Sequence, residues 1–392
     1  MKPAVRLASF FGAYFAYIGL FAPYLPLWLN SRGFTPAEIG VLISPMQWAR
    51  VVGPPAWGWM ADHAHGSHGV ARLLQISAGL ALCSAVLLLF DLDFWPLFLV
   101  LCLMSFFLSG QVPISESLAL HAARGSMKSY GRMRLWGSFG FIVAVILCGP
   151  WFDRVGIAWL PFSVILVLGL VLVSTFLLPP REVHDLSPEP ALIRNMLADR
   201  RIQCFLLASF LMLVAHAPLY TLFSLWLQSL GFSRTQIGLL WALGVVAEIA
   251  VFQFQHRIFD RLSVGSCWIL AYGAAVVRFL MIAFSAGVVP VLILAQLLHA
   301  VTFGIHHSAS MSLIREWFPS QAQARGQALY TMASYGLGGS LGGIAAGWLW
   351  EAVSPEFSFV AAALAGLAGM AAAVWALRAS RSPASPQADA KA

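Results

Sequence analysis

The sequence has very little charge for its length. Only 10% of its 392 residues are Asp, Glu, Lys or Arg, whereas a soluble domain carries about 25%. Hydrophobic residues make up 60% of the chain. This composition excludes a soluble domain with a charged surface and favours a protein whose surface faces lipid.

Cysteine is also scarce. The five cysteines are odd in number, lack the spacing of a metal site and lie in or beside apolar runs, so we expect free thiols packed as small hydrophobic groups. No nucleophile motif, phosphate-binding loop or metal signature is present. The sequence therefore gives no indication of an enzyme, a resident metal or a cofactor.

Long apolar runs are abundant. A membrane helix needs roughly 20 apolar residues, and continuous runs favour helices over the alternating pattern of a β-barrel. We predict an all-α membrane protein with twelve transmembrane helices, at residues 6–29, 37–60, 70–90, 95–119, 132–150, 157–178, 201–227, 235–255, 265–286, 289–314, 326–350 and 357–377. The second and eleventh are the weakest, because the second contains an arginine and two prolines and the eleventh is rich in glycine.

The basic residues indicate the orientation. If the N-terminus is cytoplasmic, 18 of the 23 Lys and Arg residues fall in cytoplasmic segments and three in outer loops. Cytoplasmic loops of membrane proteins carry such an excess. We therefore predict a multi-pass protein of the cell inner membrane with both termini in the cytoplasm. The net charge of +7 then reflects topology and not nucleic-acid binding.

The chain contains an internal repeat. Residues 27–40, LWLNSRGFTPAEIG, match residues 225–238, LWLQSLGFSRTQIG, at eight of fourteen positions, with an offset of 198 residues. The same offset relates Asp62 to Asp260, and both follow cytoplasmic helix ends where gating loops are expected. We predict two copies of one six-helix unit, inserted the same way.

The duplication defines the domains. We expect one six-helix bundle at residues 1–178, a cytoplasmic linker at 179–200, a second bundle at 201–378 and a disordered cytoplasmic tail at 379–392. Parallel repeats of this kind are typical of the major facilitator fold.

Charged residues at membrane depth are the candidate site, because each costs roughly 2.5–3.5 kcal/mol to insert. Arg50 and Glu248 are related by the 198-residue offset, and we expect them to face each other across a central cavity. The alternative is a structural ion pair that joins the halves. Glu116 and Arg134 lie eighteen residues apart on adjacent antiparallel helices. We expect them to meet, either in the substrate site or as a static pair near the cytoplasm.

Arg278 and His299 lie on the ninth and tenth helices. An arginine stays charged and needs an anion, either a carboxylate or an anionic substrate. A histidine titrates near neutrality, which suits proton coupling, although a lone buried histidine can also be a satisfied polar group. His216, Tyr220 and Trp136 are further candidates for the substrate site. Aromatic residues of this kind can stack on an aryl group or on a sugar.

One segment resembles a known family. Tyr130–Phe141, YGRMRLWGSFGF, resembles the start of the fifth helix in proton-coupled sugar and nucleoside permeases of the major facilitator superfamily. It is most similar to their phenylpropionate permease relatives. The resemblance covers almost the whole chain and implies a secondary active transporter that works by alternating access.

The resemblance also implies roles for residues. Glu116 and Arg134 match the pair that holds sugar in the sugar permeases of this group, and Glu248, Arg278 and His299 match their coupling residues. The lactose permease of that group carries a glutamate three residues after the histidine, where this chain, like the phenylpropionate permeases, differs and has Thr302. The resemblance then implies that Glu248, His299 or Glu116 carries the proton. The stretch from Gly58 to Asp62 resembles a degraded copy of the family's loop motif, which implies a weaker gating role for Asp62.

Several functions remain open at this point. The main hypothesis is proton-coupled symport of a small aromatic carboxylate, because three arginines (Arg50, Arg134, Arg278) outnumber two glutamates at membrane depth. Alternatives are a sugar or nucleoside symporter, an exporter of the same fold and, remotely, a non-transporting membrane sensor. The expected partners are a small-molecule substrate, protons and the lipid bilayer, and the expected assembly is a monomer.

Overall fold

The computed structural model describes residues 2–64, 66, 68–124, 126–179, 196–284 and 287–380. Most of the predicted linker and almost all of the predicted tail lie outside the described residues. In the part of the chain that is described, helices account for nearly every residue and no β-strand occurs. All five cysteines carry free thiols.

The helices follow one another through short connections. They are α1 Pro3–Ser31, α2 Pro36–Ile43, α3 Pro45–Asp62, α4 Gly69–Leu89, α5 Phe94–Ala122, α6 Met127–Val155, α7 Ile157–Thr175, α8 Arg200–Ser229, α9 Arg234–Phe259, α10 Val264–Phe284, α11 Val289–Trp317, α12 Gln323–Thr331, α13 Gly339–Ala352 and α14 Pro355–Ala379. A π-helical segment, Met332–Gly338, joins α12 to α13.

Ten helices in the described ranges are long and apolar enough to cross a membrane, namely α1, α4 to α11 and α14. Large apolar side chains cover their outer surface, and Trp95, Leu166 and Trp375 are 71%, 67% and 66% exposed. Such a surface is stable only against lipid. The molecule is therefore a multi-pass membrane protein.

The second and eleventh predicted spans are helical but interrupted. In the second span, α2 and α3 are separated at Ser44, and Pro54 and Pro55 lie inside α3. In the eleventh, the π-helical segment Met332–Gly338 lies between α12 and α13. Prolines and π-helical turns disrupt the regular i→i−4 hydrogen bonds of an α-helix. Both spans are thus irregular, and so is α11, which contains the π-helical segment Ala300–Ile305.

The matching sequence segments form the same helix start. The Thr35 side chain accepts a hydrogen bond from the backbone N–H of Glu38, whose carboxylate accepts one from Thr35. Ser233 and Gln236 make the equivalent reciprocal pair at the start of α9. Each capping box satisfies N–H groups that have no partner within the helix.

The first half of the described chain (up to residue 179) and the second half (from residue 196) pack closely at one end. There α6 packs against α9, and α13 packs against α2. A Cβ atom on Gly238 would lie 2.4 Å from the Val145 carbonyl oxygen, and one on Gly40 would lie 2.7 Å from the Gly343 carbonyl oxygen. Only glycine permits such an approach. We call this end, where α1 ends and α2 begins, the closed end.

Candidate functional site

A cavity of about 290 Å³ lies between the two halves. Helices α1, α2, α3 and α6 line one side, and α8 to α11, the π-helical segment and the start of α13 line the other. Six of the predicted site residues are on its wall: Arg50, Arg134, Tyr220, Glu248, Arg278 and His299. Its aromatic lining is formed by Phe15, Phe141, Tyr220, Phe223, Trp241, Phe303 and Tyr335.

Arg50 extends into this cavity from α3. Its guanidinium carbon lies 5.2 Å from the centroid of the Tyr335 ring, within cation–π distance. Arg50 is exposed, and none of the ion pairs formed by the described residues includes it. The alternative of an Arg50–Glu248 ion pair therefore does not apply to this conformation. Arg50 is a cavity cation whose charge has no acidic partner in the described chain.

Glu116 and Arg134 meet as their spacing predicts. Arg134 Nε donates to Glu116 Oε1 at 3.0 Å, and the two side chains are 32% and 33% exposed, Arg134 being the less exposed. The Arg134 guanidinium also lies 4.2 Å from the centroid of the Phe15 ring. Arg134 is on the cavity wall, whereas Glu116 lies behind it. Both side chains are thus partly exposed, and an ion pair of this kind is weaker than a fully buried one.

Arg278 has very different surroundings, because its side chain is completely buried. Its Nε donates to the Ala295 carbonyl oxygen at 2.8 Å. Nη1 donates to His299 Nδ1 at 3.0 Å and to Thr302 Oγ1 at 3.1 Å, and Nη2 lies 3.4 Å from Gln296 Oε1. Among the ion pairs of the described chain none contains Arg278. Neutral acceptors therefore hold this buried charge directly.

His299 connects Arg278 to Glu248. Arginine only donates hydrogen bonds, so His299 Nδ1 accepts and the proton of the neutral imidazole is on Nε2. That Nε2 lies 3.7 Å from Glu248 Oε2, and the Glu248 side chain is 19% exposed. The protonated nitrogen of the imidazole is thus near a carboxylate on the cavity wall, at a distance longer than a hydrogen bond.

His216 does not lie on the cavity wall, although we predicted it in the substrate site. It is buried behind Tyr220, with 6.0 Å between the ring centroids. Its Nδ1 lies 2.8 Å from the Met212 carbonyl oxygen, and its Nε2 lies 3.1 Å from Thr302 Oγ1. Because Nδ1 donates to the carbonyl, Nε2 accepts the Thr302 hydroxyl proton. His216 therefore supports Thr302, which in turn accepts from Arg278.

Trp136 also lies away from the cavity. Its side chain is 53% exposed and borders a separate groove between α1 and α6. Its neighbour along the helix, Phe139, is 56% exposed. In this structure Trp136 therefore faces the α1–α6 groove, and its predicted role in substrate binding stays a prediction. The direction in which a side chain faces depends on how its helix is rotated against its neighbours, and the local sequence does not specify this rotation.

Asp62 and Asp260 occupy matching positions at helix ends. Asp62 is the last residue of α3 and Asp260 follows the last residue of α9. Both side chains are exposed. A negative charge at a helix C-terminus is unfavourable, so neither acid stabilises the helix that carries it.

Sequence reasoning missed Tyr335 and Gln296. Tyr335 lies on the π-helical segment and faces Arg50, and Gln296 lies beside Arg278. A second π-helical segment, Ala300–Ile305, directly follows His299. Such segments are frequent at functional sites. The available signals were a tyrosine within a glycine-rich run and a glutamine three residues before His299 in an apolar run.

An all-helical membrane protein with buried charges around a central cavity has the organisation of a transporter. The model of the MFS_1-like family matches residues 4–361. The chain therefore belongs to this family of the major facilitator superfamily and is a membrane transporter of small molecules.

Curated relatives agree with this assignment. The chain is 30% identical over 370 residues to the probable 3-phenylpropionic acid transporter of Escherichia coli (strain K12), a match that covers 92% of this chain and 94% of the relative. It is 27% identical over 351 residues to the maltose permease of Geobacillus stearothermophilus, which covers 87% of this chain and 86% of that protein. These relatives are transporters and not enzymes.

Solved structures show the same fold. The crystal structure of the nucleoside transporter NupG superimposes with a TM-score of 0.82 at 17% identity, covering 96% of this chain and 100% of that one. At this identity the likeness establishes the major facilitator fold alone.

Proposed function

We propose that the protein is a proton-coupled symporter of a small aromatic carboxylate similar to 3-phenylpropionate. The observation that carries this proposal is the unpaired charge of Arg50 in the cavity. Arg134 forms an ion pair with Glu116, and the charge of Glu248 offsets that of Arg278 in the sum, although no ion pair of the described chain joins these two residues. One cation is left over, and a substrate with a single carboxylate would neutralise it.

The cavity wall supports an aryl substrate of modest size. Seven aromatic side chains surround the space beside Arg50, and aromatic rings attract one another in stacked and edge-to-face arrangements. The volume of about 290 Å³ is at the small end of ligand pockets, which span roughly 300–1,000 Å³. A single-ring acid suits this space better than a disaccharide does.

Glu248 is the proposed proton carrier, with His299 and Arg278 as its partners. With Glu248 ionised and no substrate, the cavity charges sum to one positive charge. A proton on Glu248 adds a second and strengthens the attraction for an anion. The empty carrier and the carrier loaded with one proton and one monoanion then have equal charge. This equality is a physical reason for joint transport, since the half-loaded forms differ by one charge.

The proposed architecture is two parallel six-helix halves that rock about the cavity. Ten candidate spans together with the helical segments 36–62 and 323–352 give twelve, and the 198-residue offset supports a duplication. The charge bias places both termini in the cytoplasm of a cell inner membrane. In that orientation the closed end faces outward. We further propose that the protein acts as a monomer and that Asp62 and Asp260 act in gating at the cytoplasmic end.

The test is binding and uptake of 3-phenylpropionate by purified protein in proteoliposomes. Arg50→Gln should weaken binding about 10- to 100-fold, because a hydrogen bond to a charged group contributes about 1.5–3 kcal/mol. The control is Arg32→Gln, which removes an arginine that pairs with Asp91 at the surface. Unchanged binding by Arg50→Gln would contradict the proposed anion site.

The second candidate is a sugar or nucleoside symporter, because the curated relatives include a maltose permease and a putative nucleoside transporter. A thermal-shift screen of aromatic acids, nucleosides and disaccharides separates the candidates. Stabilisation by neutral sugars or nucleosides alone would replace the carboxylate proposal. Uptake driven by an inward proton gradient distinguishes import from export.

A further inference from the structure

At the closed end, two acidic side chains bind the first turn of a helix in the opposite half. Asp153, near the end of α6, accepts hydrogen bonds from the backbone N–H groups of Arg234 and Thr235, both at 2.9 Å. It also accepts from the Thr235 hydroxyl at 2.6 Å. Glu351, near the end of α13, accepts from the backbone N–H of Ala37 at 3.3 Å. We call Asp153 and Glu351 the acid caps.

The acid caps are equivalent under the 198-residue offset. Asp153 corresponds to Glu351, and Thr235 corresponds to Ala37. The repeat found at residues 27–40 and 225–238 therefore extends to the ends of α6 and α13. In each case an acid from the fifth helix of one unit binds the start of the second helix of the other.

The position of each acid is favourable only through this contact. Asp153 and Glu351 lie in the last turns of α6 and α13, where the helix dipole disfavours a negative charge. The starts of α9 and α2 carry N–H groups without partners and a partial positive charge. Each acid cap thus carries a negative charge that its own helix disfavours and that the N-terminus of a helix in the other half stabilises.

Backbone packing beside the acid caps makes the contact sensitive to movement. A Cβ atom on Gly149 would lie 2.7 Å from the Thr235 Cα, and one on Gly347 would lie 2.3 Å from the Pro36 carbonyl oxygen. Because the helices touch through their backbones, a small separation of α9 from α6 removes the Asp153 hydrogen bonds. Neither acid cap lines the cavity.

We propose that Asp153 and Glu351 are a symmetric pair of gate residues that hold the closed end shut and set how readily it opens during transport. Their contributions are unequal. Asp153 accepts three hydrogen bonds of 2.9 Å or less, whereas Glu351 accepts one of 3.3 Å. Loss of Asp153 should therefore open this end more than loss of Glu351.

The experiment measures a distance across the closed end. Spin labels are attached at Ser31→Cys and Ser229→Cys, which are exposed residues of opposite halves, after replacement of the five native cysteines by serine. Electron double resonance then reports the populations of short and long distances without substrate. Asp153→Ala should raise the ratio of open to closed forms roughly 5-fold, as for loss of a helix cap. Glu351→Ala should raise it less, and the double variant most.

The matched control is Glu356→Ala, which removes an acid from the first turn of α14 at the same end. Its distance distribution should equal that of the parent protein. Asp153→Asn keeps an acceptor oxygen and should give a ratio of open to closed forms between those of the parent protein and Asp153→Ala. If Asp153→Ala does not fold, Asp153→Asn and Glu351→Ala test the proposal. Distributions for these variants that match the control would overturn the proposal. Because the readout needs no substrate, this result is independent of the proposed carboxylate specificity.

Discussion

The two halves of the molecule place similar charges in different surroundings. In the first half Arg134 binds Glu116 directly, and both side chains are partly exposed. In the second half Arg278 is buried and reaches Glu248 only through His299. Arg134 is 32% exposed and Arg278 is completely buried, so screening weakens the first pair more than it weakens the charges in the second half. Removing the arginine should therefore cost more free energy of unfolding in the second half than in the first. Protonation of the glutamate should also have different effects in the two halves.

This difference suggests a division of roles. An accessible half that offers Arg50 and Arg134 to the cavity suits exchange of substrate with water. A buried half, in which protonation of Glu248 changes the partner of His299, suits retention of a proton during the conformational change. The two halves of the chain thus differ in the surroundings of their charges.

The largest expected effect is that of Arg278→Gln. The substitution leaves Ala295, His299 and Thr302 without their donor, and an unsatisfied buried group costs about 1–3 kcal/mol. The free energy of unfolding should fall by about 2–5 kcal/mol, with loss of uptake, as measured by thermal unfolding and transport in proteoliposomes. Arg134→Gln, the matched change in the first half, should cost less than about 1 kcal/mol. Equal losses for the two variants would remove the contrast between the halves.

The second effect separates coupling from binding. Glu248→Gln should abolish uptake driven by an inward proton gradient and retain exchange of labelled for unlabelled substrate, because its amide carries no transferable proton. Wild-type uptake should rise as the outside is acidified, whereas exchange by the variant should not depend on the proton gradient. Glu116→Gln, the corresponding change in the first half, should keep gradient-driven uptake. Retained gradient-driven uptake by Glu248→Gln would assign the proton to another group.

The smallest expected effect is on the stability of the accessible pair. Glu116→Gln leaves Arg134 in contact with solvent and with the Phe15 ring, so thermal stability should change by less than about 1 kcal/mol. Substrate affinity should not fall and should rise modestly, because loss of the Glu116 charge adds one net positive charge at the cavity wall. A loss of affinity as large as that of Arg50→Gln would place the anion on Arg134 instead.

Parts of the site followed from sequence spacing. Eighteen residues between Glu116 and Arg134 span two antiparallel helices joined by a short turn, and the structure brings the side chains together. The repeat offset placed Arg50 and Glu248 on the wall of one cavity. It did not decide whether they form an ion pair, because that depends on the separation of the halves in a given conformation.

Other parts could not be predicted. Depth along a helix follows from counting residues, but the face that a residue presents depends on how the helix is rotated against its neighbours. Trp136 and His216 were therefore assigned to the substrate site, although one faces outward and the other lies behind Tyr220. Tyr335 was missed because its glycine-rich surroundings indicated helix packing alone.

The sequence by itself determined membrane insertion, helix boundaries near capping boxes, an internal repeat and the charges that needed an explanation. These properties depend on transfer free energies and hydrogen bonds within one helix, so a local stretch of chain specifies them. The tertiary structure decided which charges meet: Arg278 with His299, Arg50 with Tyr335, and the acid caps with α9 and α2. Such contacts depend on helix rotation and on the distance between halves, which only the packing of the whole chain sets.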